Sequence, residues 1–127
     1  MHRQRGFTLV EVLFALLILA IIMTTTLAVF LERNRRLQQA NEMILAYQAL
    51  SNETEVQRRI DWASLASGPF TSDTSLLDPL KPFNATVTVT DKPPDTKDVL
   101  LTITWKGGLR KASLDLSRVN TGGSNLW

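Results

Sequence analysis

The most telling polar group of the chain lies close to its start, in Gly6-Phe7-Thr8-Leu9-Val10-Glu11. From Phe7 to Leu31 there are 25 residues, and Glu11 is the only charged one among them. A run of that length and purity can cross a bilayer as a helix, which takes about 20 apolar residues at about 1.5 Å rise each. A carboxylate in such a run costs roughly 2.5–3.5 kcal/mol near the centre of an inserted helix, and less toward its end. It is tolerated when a cation neutralises it. Glu11 therefore reads as a functional acid that needs a partner; the plainer alternative is an interfacial glutamate reaching headgroup water.

Elsewhere the chemical inventory is thin. There is no cysteine, which excludes a disulfide framework, a zinc-thiolate site and a cysteine nucleophile. The one histidine, His2, lies in the short basic segment before Gly6, so a Ser-His-Asp arrangement has no base in the body of the chain. No glycine-rich loop with a lysine cradles phosphate. Asp91, Asp95 and Asp98 flank a proline turn and read as a solvated loop in preference to a cation site. No catalytic residue, metal or cofactor is expected. Lys106, Arg110 and Lys111 surround Gly107-Gly108 and could form a small basic patch, but three charges supply little phosphate affinity. Nucleic acid is accordingly not expected as a partner. The 14 Lys+Arg and 12 Asp+Glu give the whole chain a formal charge of +2. Setting aside Arg3 and Arg5 leaves 12 of each sign, so the basic pI of about 9.3 belongs to the intact chain and not to the segment after Gly6.

Arg5-Gly6-Phe7-Thr8-Leu9-Val10-Glu11-Val12 resembles the leader and cleavage junction of type IV pilins and of the pseudopilins of type II secretion systems. The resemblance covers roughly residues 3–31. An ordinary secretory signal is cut after its apolar region; here the junction precedes it, so the span is retained. The resemblance implies cleavage between Gly6 and Phe7 by a prepilin peptidase and N-methylation of Phe7. It also implies that Glu11 pairs with the new amine of a neighbouring subunit. It implies partners in other pilin or pseudopilin subunits, an inner-membrane assembly platform and membrane lipid. The location implied is the inner membrane, crossed once with the N-terminus cytoplasmic and the head periplasmic, and then the pilus or pseudopilus. The missing cysteines depart from major pilins with a C-terminal disulfide loop and shift weight toward a minor pilin or small pseudopilin. The alternatives are a DNA-uptake or adhesion pilin that binds through its head, and a plain single-pass protein with a periplasmic β head.

The elements that must position these residues can be read in order. Residues 1–6 form the leader and 7–31 the transmembrane or filament-core helix. Thr24-Thr25-Thr26 is a β-branched triplet whose hydroxyls are expected to bond back to the preceding turn. Residues 32–61 continue as an amphipathic spine, with Leu37, Ala40, Ile44 and Tyr47 on one line and Met43, Ala46 and Leu50 beside it. Arg33, Arg36, Gln39, Glu42, Glu53, Arg58 and Arg59 are expected mostly outside this stripe. No Gly or Pro interrupts residues 7–61, which predicts one helix of about 55 residues, about 80 Å long. Residues 62–84 connect helix to sheet and are too apolar to be a free linker. They are expected to wrap the spine, with a short helical turn at Trp62–Leu65. Residues 85–119 alternate as antiparallel strands around Asp91-Lys92-Pro93-Pro94-Asp95 and the Gly107-Gly108 hairpin. Ala112, Leu114 and Leu116 are candidate inward positions, and residues 120–127 read as a tail. The fold class is α+β: a pilin-like long helix packed on a small three- to four-stranded antiparallel sheet.

Overall fold

The computed structural model of the chain describes residues 6–121. Residues 1–5, with His2, Arg3 and Arg5, and residues 122–127 lie outside the described part, and with them most of the expected leader and tail. The chain divides into two units, residues 1–39 and 40–127.

Helix α1 runs from Leu9 to Arg59, 51 residues without a break. With no proline to remove a donor and no glycine to loosen the backbone, nothing in the sequence interrupts its hydrogen-bond ladder. In the first unit every described residue from 6 to 38 is exposed. The hydroxyls of Thr24, Thr25 and Thr26 donate to carbonyls of Ala20, Ile21 and Ile22 at 2.7–3.0 Å. The helix continues through them, because these bonds add to its backbone ladder instead of replacing it.

In the second unit the last part of α1 is covered by a four-stranded antiparallel sheet of order β1-β2-β3-β4. The strands are β1 (Gly68–Pro69), β2 (Phe83–Lys92), β3 (Thr96–Trp105) and β4 (Arg110–Val119). Cross-strand register sets Val87 opposite Leu101 and Leu101 opposite Leu114. Because side chains alternate in a strand, one face carries Val87, Val99, Leu101, Ile103, Trp105 and Ala112, all buried. The other carries Thr86, Thr88, Thr90, Thr102 and Thr104 with Ser113 and Ser117. The core is completed by Ala46, Ala49 and Leu50 of α1 and by Leu65, Leu77 and Leu80 of the connecting segment. This is the α+β, pilin-like layout expected from the sequence.

Several details differ from expectation. The helix buries the line through Ala46, Ala49 and Leu50, while Ile44 and Tyr47 remain 54 % and 48 % exposed and Leu37 is exposed too. Two alanines on the buried line let the sheet approach the helix closely, which the bulkier line would not allow. Glu53, expected at the surface, is fully buried. Sheet pairing begins at Phe83, earlier than residue 85. It also extends to Lys92 opposite Thr96, so the turn shrinks to Pro93-Pro94-Asp95. The short helical turn expected at Trp62–Leu65 is present as a 3-10 turn, Trp62–Ser64, but the connecting segment also contributes β1, paired with Val87 and Thr86, and a second 3-10 turn, Ser75–Leu80. Of the candidate inward positions on β4, Ala112 is buried, Leu116 is half-buried and Leu114 is 36 % exposed. As the edge strand, β4 overhangs the cover that the helix provides.

The hairpin between β3 and β4 turns through Lys106, Gly107 and Gly108 at φ 52°, 66° and 87°. Glycine takes this left-handed region without penalty, whereas Lys106 does so at a cost of roughly 1 kcal/mol. At the other end of the sheet, Arg118 Nη1 donates to the carbonyls of Gln57, Arg58 and Ile60 at 2.8, 3.2 and 3.1 Å. A helix leaves its last carbonyls without intrahelical donors, and a guanidinium also suits the negative end of the helix dipole.

Replacing Leu50 by Ala should cost about 3 kcal/mol, seen as a lower melting temperature of the full chain in detergent, followed by tryptophan fluorescence. Ile44→Ala, on the uncovered line, should change stability by less than about 0.5 kcal/mol. Equal losses from the two variants would contradict the assignment of the buried face.

Candidate functional site

The first site is the start of α1. Thr8 precedes the helix, and its Oγ1 accepts a hydrogen bond from the Glu11 backbone N–H at 3.3 Å, while its carbonyl accepts from Val12 N–H at 3.2 Å. Thr8 thus caps the helix, and Glu11 falls in the first turn, where the positive end of the dipole favours a carboxylate. The Thr8-x-x-Glu11 spacing is that of a capping box, a signal in the sequence that marks this helix start. Phe7 is 83 % exposed. The structure brings Phe7 and Glu11 together: both line one shallow hollow with Val12, Ala15, Leu16 and Leu19. Among the described residues no cation pairs with Glu11.

Two further acids, Glu42 and Glu53, are spent inside the second unit. Glu42 accepts a hydrogen bond from Trp105 Nε1 at 3.0 Å and pairs with Lys106 Nζ at 2.7 Å. Lys106 first, and Trp105 next, hold its carboxyl below the usual value. This contact ties the strained hairpin tip to the helix. Glu53 Oε1 accepts from Gln57 Nε2 at 2.7 Å and from Thr71 Oγ1 at 3.1 Å, and Oε2 accepts from Ser72 N–H at 2.8 Å. Thr71 N–H lies 3.2 and 3.1 Å from the two oxygens. The carboxylate thus satisfies two backbone amides of the connecting segment. Burial pushes the Glu53 carboxyl up, but the donors from Gln57, Ser72 and Thr71 outweigh it, and the net direction is down from 4.5. Both acids lie on the same side of the helix as Ala46, Ala49 and Leu50. A helical projection centred on the alanines, and not on the bulkiest residues, would have placed them there.

The residues considered for a basic patch are dispersed. Lys106 is engaged by Glu42. Arg110 lies opposite Trp105 and Lys111 opposite Thr104, so Arg110 and Lys111 point to opposite faces of the sheet. Asp91 pairs with Lys97 at 3.8 Å, and Asp98 pairs with Lys92 and accepts from Ser117 Oγ at 2.9 Å. Among the described residues no group of three or more His, Cys, Asp or Glu could hold a metal ion.

A long apolar helix ahead of a small antiparallel sheet defines a pilin-like class of protein. The family model of the prokaryotic N-terminal methylation motif matches residues 1–27. No curated protein and no solved structure matches the chain. The methylation motif, the apolar helix behind it and the sheet together fit a type IV pilin-like protein. A motif of this kind points to a structural subunit and not an enzyme. It supports membrane anchoring and implies assembly with other pilin subunits and processing by a prepilin peptidase.

The lowered Glu53 value sets the sign of a pH effect. The unfolded chain binds its proton at a higher pH than the folded one, so the contribution of Glu53 is complete above about pH 4.5. It is lost as the pH falls through the lower folded value. The melting temperature of Glu53→Gln should therefore fall less steeply below that pH than the parent's. Glu53→Ala, which orphans the Thr71 and Ser72 amides, should cost roughly 2–4 kcal/mol at neutral pH. Parallel acid profiles for parent and Glu53→Gln would contradict the ionised, hydrogen-bonded carboxylate.

Proposed function

We infer that the chain is a minor pilin or pseudopilin, a structural subunit of a type IV pilus or type II secretion pseudopilus that takes part in priming and assembly. One observation carries the reading. Behind the Gly6–Phe7 junction stands a helix whose apolar side chains are exposed on every side, with one carboxylate, Glu11, in its first turn. A surface of that kind needs lipid or other helices around it.

In this reading the helix waits in the inner membrane, N-terminus in the cytoplasm and head in the periplasm. The prepilin peptidase cuts after Gly6, and the new amine of Phe7 is methylated. On extraction into the filament by the assembly platform, Glu11 pairs with the Phe7 amine of the adjacent subunit. A buried ion pair adds little stability by itself, but stranding one member costs about 3–5 kcal/mol. That asymmetry penalises a subunit inserted out of register. The shared hollow at Phe7 and Glu11 supports the pairing, because both groups are open on one side of the helix end. The lack of cysteine in the sequence supports a minor role.

Co-expression with a prepilin peptidase followed by intact-mass measurement tests the processing. The expected product lacks residues 1–6 and carries one added methyl group; an unchanged mass would favour a plain single-pass protein. Glu11→Ala and Glu11→Leu should be cut normally yet be depleted from sheared filaments relative to the parent. Normal incorporation of both would remove the pairing role.

A further inference from the structure

The apolar run of α1 ends at Leu31, and Glu32-Arg33-Asn34-Arg35-Arg36 stands directly behind it. We propose that Arg33, Arg35 and Arg36 form a guanidinium girdle that binds the phosphodiester headgroups of anionic phospholipid and sets the depth of the span before assembly. The proposal rests on the membrane reading above and names the lipid partner of that helix.

Position along the axis is the first argument. At about 1.5 Å per residue the three arginines begin about 3–8 Å beyond the last apolar residue. The headgroup layer on each side of a bilayer is about 5–8 Å thick. Their side chains therefore meet phosphates without leaving the helix surface. Position around the axis is the second. Successive residues turn by about 100°, so Arg33 and Arg35 stand about 160° apart, with Arg36 between them, about 60° from Arg33. The three side chains spread over nearly half of the circumference, an arc wide enough for more than one lipid headgroup to line. Exposure and charge are the third. All three arginines are exposed, and Glu32 is engaged by Arg36 at 3.0 Å. Among the described residues no carboxylate pairs with Arg33 or Arg35. Three arginines against one glutamate leave a net positive arc at the end of an oily cylinder.

Local shape agrees. Ala28 and Val29 form the floor of a shallow groove whose rim is Glu32, Arg33 and Arg36. The first methylenes of an acyl chain fit such a floor while the phosphate meets the rim. Arginine suits this contact better than lysine, because its planar fork can bind two phosphate oxygens at once.

The test uses the full chain reconstituted in phosphatidylcholine bilayers, with trace spin-labelled phosphatidylglycerol or spin-labelled phosphatidylcholine as the probe. Arg3 and Arg5 would attract the same lipid, so all comparisons carry Arg3→Gln and Arg5→Gln. Electron spin resonance then reports the motionally restricted fraction of each lipid. Phosphatidylglycerol should be preferred by roughly two- to fivefold at low salt, and less as salt rises. Combining Arg33→Gln, Arg35→Gln and Arg36→Gln should bring the ratio to about one, while Arg58→Gln with Arg59→Gln should leave it unchanged. Equal restriction of the two lipids, or a preference that survives the triple substitution, overturns the girdle. If neither lipid is restricted, the helix does not occupy the bilayer, and the membrane reading falls with it.

Discussion

Between the ends that Thr8 and Arg118 cap, the backbone groups of α1 satisfy one another, and that ladder allows a single element to serve in two surroundings. In hydrocarbon an unpaired amide costs several kcal/mol, so a spanning segment has to be helical. In a small head a helix must bury a stripe of side chains to be stable. Here one helix meets both demands because its sequence changes character at Leu31 while its backbone does not. The covering sheet begins only where the side chains become amphipathic.

The glutamates along this helix show how surroundings decide the use of one chemical group. Glu32 holds Arg36 at an exposed site, where such pairs contribute little. Glu42 sits between Trp105 and Lys106 and fastens the hairpin whose tip carries a lysine in a left-handed conformation. Glu53 is fully buried and exchanges its hydration for Gln57, Thr71 and Ser72. Removing water from a carboxylate is tolerable only with that number of donors, and two of them are backbone amides that themselves need an acceptor. The connecting segment and the helix therefore solve each other's problem. Arg118 does the same for the carbonyls at the helix end.

Much of this is legible in the residues themselves. Apolarity from Phe7 to Leu31, broken by the single charge of Glu11, marks the candidate span, the absence of Gly and Pro marks a single helix, and the alternation of Thr with Val marks β2. The residues that escape do so because their environment is made by distant partners. Glu53 looks like a solvated charge until the amides of Thr71 and Ser72 are brought to it. Gly68 and Pro69 look like a chain break, yet they pair with Val87 and Thr86, which no local pattern encodes. The buried face of the spine is misjudged when bulk is weighed above fit: Ala46 and Ala49 carry less apolar surface than Ile44 and Tyr47 but admit a closer sheet. Grouping Lys106, Arg110 and Lys111 by sequence proximity ignores the two-residue period that sends Arg110 and Lys111 to opposite faces.

These placements divide the work between the two units. In the head, the acids that would be costly if stranded, Glu42 and Glu53, have partners on the same chain. Glu11 differs: among the described residues nothing positive pairs with it, and the side chains around it are exposed hydrocarbon. The other glutamates of α1 have partners on the chain, Glu32 with Arg36, Glu42 with Lys106, Glu53 with Thr71 and Ser72, and Glu55 with Arg58; the unpartnered one stands at the exposed helix start. Substitutions in the head core should then act on folding, and substitutions near Phe7 on association. Buried Glu53 and half-buried Glu42 are matched by donors that the fold itself brings to them, whereas among the described residues no such donor is built around the carboxylate at the helix start.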